Sequence, residues 1–169
     1  MANHVFNEVE FRGPAGQLMM AADLFQKMEG CIPRNEEGQW PPFFIEAPKR
    51  FFANIDVAHL PGSLKVDYQT DWIPNPEDLV TIAMHFDLSF ESSYVEHGNG
   101  CYGACRYQEG KFLHAWIEDD DLLLIGYDPG HEHYTFGDKV FKYQGECHNH
   151  ILKEKLDTLE KSVGYSRSR

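Results

Sequence analysis

No apolar run in this sequence approaches the ~20 residues that a membrane-spanning helix needs. Met1 to Phe11 also lacks the apolar core of a secretion signal. The expectation is a soluble, cytoplasmic protein with no membrane partner. Cysteine is scarce, with 4 residues in 169: Cys31, Cys101, Cys105 and Cys147. None has the spacing of a zinc knuckle or ribbon, so a disulfide framework and a thiolate metal fold are both disfavoured. Basic charge is scarce in the middle of the chain. From Val66 to Asp138 only Arg106 and Lys111 stand against 15 acids. Such a stretch repels phosphate backbones, which argues against direct nucleic-acid binding.

The chain does have the composition of a globular domain: 42% hydrophobic, 14% aromatic and 25% charged residues. A disordered or low-complexity protein is excluded on these numbers. At 169 residues, one domain is expected. The net charge is −12, so the acidic middle should attract a basic surface.

Alternation of Val5, Val9 and Phe11 with Glu8 and Glu10 predicts a half-buried strand over 3–11. Gly13-Pro14 interrupts it, and Leu18, Ala21, Ala22, Phe25 and Met28 recur at helical spacing over 15–29. Residues 31–50 form a Pro-rich loop carrying Trp40, Phe43 and Phe44, expected to pack across the body or to present an interaction surface. Strands follow at 51–59 and from Leu64 to Trp72, with Trp72 expected to cap the core. Asn75-Pro76-Glu77-Asp78 then starts a helix: a capping residue, a proline at the first helical position and two acids in the first turn. Further strands are predicted at 88–95, 101–107 and 111–118, the last two as a hairpin. A short buried strand is expected at 122–127, another over 134–143, and a closing helix on Leu152, Leu156, Leu159 and Val163. The order is that of an α+β protein with a ferredoxin-like split βαβ (βαββαβ) core over 1–107. A β-rich C-terminal extension and closing helix occupy 108–164.

Thr70, Trp72 and Pro74 precede the second helix, and Glu96, Gly98 and Gly100 follow its strand. Together with Met1-Ala2-Asn3 and Gly13-Pro14, these resemble the YubB-type ferredoxin-like family of plasmid and phage accessory proteins. The resemblance implies a fold and a mobile-element origin, and no activity. The segments themselves read as structural, Gly98 and Gly100 allowing a tight connection.

Four kinds of chemistry are conceivable. His131, His133, Cys147 and His150 are types that ligate metals, and His131 and His133 point the same way if extended. Cys147 lies where a helix N-terminus would stabilise a thiolate. Glu118-Asp119-Asp120-Asp121 is a run of four acids, expected in a solvated turn rather than across a catalytic cleft. The glycines at 98, 100 and 103 lack a P-loop lysine. The leading expectation is therefore a non-catalytic interaction protein without cofactor. Its partner would be a basic host or defence protein that itself handles nucleic acid. Asp67, Asp71, Glu77, Asp78 and Glu118 to Asp121 are the expected docking acids. The alternative is a metal-dependent enzyme using the His/Cys set.

Overall fold

A computed structural model describes residues 3–31, 38–46, 48 and 50–165. Strand β1 (His4–Arg12) leads into helix α1 (Ala15–Glu29), followed by β2 (Ala53–Leu60), β3 (Ser63–Asp71), α2 (Pro76–Phe86) and β4 (Ser89–Glu96). Two further strands, β5 (Cys101–Gln108) and β6 (Lys111–Trp116), extend the same sheet. Its order is β2-β3-β1-β4-β5-β6, with every neighbouring pair antiparallel. The first four strands and two helices are the split βαβ arrangement of a ferredoxin-like fold. The alternation read in β1 sends Val5, Val9 and Phe11 to a face covered by α1 and α2. Leu18, Ala21, Ala22 and Phe25 meet them from α1, and Leu79, Ile82 and Ala83 from α2.

The opposite face is covered at one end only. After α3 (Asp119–Leu123), a three-stranded sheet of β7 (Ile125–Asp128), β8 (His133–Phe136) and β9 (Lys139–Phe141) leads into α4 (Gln144–Tyr165). Leu152 and Leu156 of α4 bury Leu113, Ala115 and Ile117 in a second, smaller cluster. The faces of β1, β3 and much of β4 beside it stay open.

Three expectations differ from this architecture. The segment expected as a buried strand at 122–127 is instead the end of α3 and the start of β7, with Leu123 82% and Leu124 65% exposed. An unbroken apolar run suggested burial there, but the acids before it favour a helix start, and Glu118 and Asp121 close a reciprocal capping box. The strand expected over 134–143 is a hairpin, turning at Gly137 with φ 59°. Trp72 is 54% exposed with φ 67°, its N–H donating to the Asn3 carbonyl, so it does not cap the core.

A buried polar chain ties β3 to α2. The Tyr68 hydroxyl donates to Asn75 Oδ1 at 2.8 Å, and Asn75 Nδ2 donates to Asp78 Oδ2 at 3.0 Å. Burial raises the Asp78 carboxyl to about 6, against the Asn75 bond and with help from the Glu77 charge. The fold holds this proton where the unfolded chain has lost it. Asp78 therefore costs stability as pH rises from about 4 through 6, and the cost is fully present above that window. Asp78→Asn should flatten this part of the stability profile and be more stable than the parent at pH 7. Urea midpoints measured from pH 4 to 7 on both proteins check it. Parallel profiles would show that Asp78 titrates normally.

Candidate functional site: a carboxylate-floored groove on the open sheet face

The side chains of even-numbered β1 residues point away from α1 and α2. Strand register then aligns residues that lie far apart in the sequence. Glu8 pairs with Asp67 across β1 and β3, and Asp67 pairs with Asp56 across β3 and β2. Three carboxylates thus stand side by side across three strands. In the next row Glu91 faces Glu10, and Glu10 faces Lys65. Like charges placed directly opposite on a sheet are destabilising.

Lys65 serves both Glu8, at 2.7 Å, and Asp67, at 3.6 Å. Asp56 has no ion pair among the described residues. Burial raises the Asp67 carboxyl; Lys65 opposes the rise, while the Glu8 and Asp56 charges add to it. The second row is better compensated: Arg12 reaches Glu10 at 3.2 Å, and Arg106 reaches Glu91 at 3.0 Å. Arg106 also holds Asp157 and Glu160 of α4, pinning that helix over β5.

Helix α4 makes the wall of a groove of about 450 Å³ whose floor includes Phe6, Glu8 and Asp67. His148, Asn149 and Leu152 face it from α4 and Tyr102 from β5. His148 is only 3% exposed, its ring is 4.2 Å from that of Tyr102, and its Nε2 has no hydrogen-bond partner among the described residues. Burial holds its pKa below the usual range, so it is neutral at pH 7. Phe6, 47% exposed, lies 6.2 Å from the His97 ring at the mouth. On the far side of Glu8 the depression continues past Glu10 and Glu91 to Arg106.

The acids singled out in the sequence fall in three places. Asp67 and Asp71 share the open face of β3, where Asp71 is 3.1 Å from His4 Nδ1. Glu77 and Asp78 open α2, in the helical layer on the opposite side of the sheet. Glu118 to Asp121 belong to α3 and its cap, where Glu118 and Asp121 both pair with Lys155 of α4. Although burial opposes it, the Lys155 ammonium and the Glu118 amide hold Asp121 below the usual carboxylate range. Asp119 and Asp120 are free of that lysine and exposed. Asp56, Glu8 and Glu10 were missed because only the register brings the first two to Asp67 and the third between Glu91 and Lys65.

Of the four possible metal ligands, the structure brings His131 and His133 together, beside Asp128. Cys147 is fully buried in α4, and burial raises its thiol, so the thiolate expected there is not favoured. His150 pairs with Glu154 at 2.9 Å. The Glu96 carboxylate, 3% exposed, accepts the Gly98 and Asn99 amides at 2.7 Å each. A Cβ at Gly98 would meet Glu96 Oε1 at 2.7 Å. That segment is a turn lock and needs no ligand to explain it.

Residues 50–124 match the family model of a ferredoxin-like domain in Api92-like protein. The match runs from the entry to β2 through α3, so β5 and β6 lie inside the matched domain. No curated protein and no solved structure matches the chain.

Proposed function

We propose that this chain is a non-catalytic interaction protein whose open sheet face binds a basic segment of a partner. The observation that carries the reading is the row Asp56–Asp67–Glu8, three adjacent carboxylates of which Lys65 pairs with only Asp67 and Glu8, the two that lie on the floor of the groove. A lysine- or arginine-rich segment lying across the strands supplies the missing positive charge, and Phe6 and Tyr102 offer apolar contact to its side-chain stems. Basic segments of that kind belong to proteins that grip phosphates. Occupying them would displace nucleic acid, which makes a nucleic-acid-handling host or defence protein the fitting target. The resemblance to plasmid and phage accessory proteins supports a mobile-element origin.

The test is a titration of an arginine- and lysine-rich peptide against the full chain at low and high salt. The combined variant Glu8→Gln, Asp56→Asn, Asp67→Asn should weaken binding about tenfold, since exposed pairs contribute roughly 0.2–1 kcal/mol each, and should reduce its salt dependence. Asp119→Asn with Asp120→Asn removes exposed charge elsewhere and should leave binding near the parent value. Equal losses in both variants would mean that net charge alone attracts the peptide, and the groove would have no role.

A further inference from the structure

The hairpin β7–β8 closes through a four-residue turn, 129–132, between the ladder partners Asp128 and His133. The Asp128 carboxylate divides its two oxygens. Oδ1 accepts the turn amides of Gly130 at 2.8 Å and His131 at 3.3 Å. Oδ2 faces two imidazoles: His131 Nδ1 at 2.9 Å and His133 Nε2 at 4.0 Å. One donor atom from each of the three residues lies within 4.8 Å of the other two.

We propose that Asp128, His131 and His133 form a binding site for a divalent transition-metal ion of the zinc type. Two imidazoles and one carboxylate suit zinc, cobalt or nickel, whereas magnesium and calcium prefer oxygen ligands throughout. Tetrahedral zinc with ligands at ~2.0–2.1 Å places its donor atoms ~3.3 Å apart. The separations of 2.9 and 4.0 Å bracket that value, so small side-chain rotations suffice. The turn amides on Oδ1 fix the carboxylate plane and leave Oδ2 to the metal, the orienting role that outer hydrogen bonds play in metal sites. Without metal, His131 Nδ1 carries the proton it donates to Oδ2. The bound ion takes the place of that proton, which then resides on Nε2. The His131 side chain is 77% exposed, so at least one coordination position opens to water or to an outside donor.

The site also has something to hold together. No residue of β7, β8 or β9 is fully buried. A metal clip across the turn would add to the contacts of Phe136, Phe141 and Lys139 with α4 that otherwise hold this small sheet. The proposal is independent of the carboxylate groove, which lies on other strands.

Zinc titrated into the metal-stripped full chain should bind in one equivalent. His131→Gln and His133→Gln should each weaken it by at least about tenfold. Asp128→Asn should do the same while keeping an oxygen for the turn amides. His97→Gln and His59→Gln should not change it. In parallel, the imidazole NMR signals of His131 and His133 in the unmodified protein should move together with the first equivalent, a readout that needs no variant to fold. Absence of stoichiometric binding would overturn the proposal. So would zinc binding that survives the His131→Gln/His133→Gln double variant, or that shifts other histidines first.

Discussion

Phe25→Ala is expected to destabilise the fold by about 3–5 kcal/mol. Phe25 is fully buried, with its ring 5.9 Å from Phe11 of β1 and 5.9 Å from Phe52 at the entry to β2. Phe11 in turn meets Phe90 of β4 at 5.8 Å. One side chain on α1 therefore meets β1 and the entry to β2 directly, and reaches β4 through Phe11. Its removal leaves a void bounded by other rings, and stiff aromatic neighbours collapse poorly into such a space. Domains are commonly stable by about 5–15 kcal/mol, so the loss is a large share of the whole. The urea midpoint should fall with little change in slope. Met19→Ala on the same helix is the control. That residue is 67% exposed, and its replacement should change stability by less than about 0.5 kcal/mol. Similar effects at the two positions would mean that α1 is not docked as described.

Gly103→Ala should cost about 1–3 kcal/mol, by overpacking rather than by loss of contacts. Gly103 sits opposite Tyr94 in the β4–β5 ladder, and the Tyr94 ring lies over it, its Cζ nearest to where a Cβ would be. A methyl group at 103 would fall within the space of that ring. The ring is not free to swing aside, because Tyr94 Oη and His114 Nε2 are hydrogen-bonded at 2.9 Å. Burial lowers the His114 pKa, so at neutral pH the ring can accept the tyrosine proton. The substitution must displace the ring and break this bond, or spread the strands. A double-mutant cycle separates this account from a general intolerance of β5. In a Tyr94→Ala background, Gly103→Ala should be close to neutral. An undiminished cost there would place the strain in the backbone instead.

Local patterns with one dominant cause were legible in the sequence. The start of α2 was written in Asn75-Pro76-Glu77-Asp78, and α1 in the spacing of Leu18, Ala21, Ala22 and Phe25. The period of two in β1 separated Val5, Val9 and Phe11 from Glu8 and Glu10 without further information. The N-cap worked through an unexpected partner, since Asn75 spends its side chain on Tyr68 and Asp78 rather than on its own helix amides. The groove was hidden for a different reason. Asp56, Asp67 and Glu8 are neighbours only once three strands have taken their register, and no window along the chain contains them all. Counting acids along the chain instead drew attention to Glu118 to Asp121, two of which are occupied by Lys155. The failure at 122–127 has a third cause. Leu122 to Ile125 is apolar enough for a core strand, but Leu122, Leu123 and Leu124 are exposed. The Asp128 site was half visible: the two histidines stood out, while their carboxylate partner lay across a turn that spacing alone does not fold.

The two hydrophobic clusters differ greatly in size, and this has a kinetic consequence. The larger joins α1 and α2 to the sheet, while Leu152 and Leu156 of α4 rest on Leu113, Ala115 and Ile117, with the Arg106 and Lys155 ion pairs at the margins. Proteins open in cooperative units whose free energies follow the apolar area each unit buries. Helix α4 is therefore expected to detach and return many times for each global unfolding, so the wall of the groove should exchange faster than its sheet floor. A guest held by both surfaces lengthens the intervals between those openings, so occupancy would register in the exchange rates of α4 amides far from any contact.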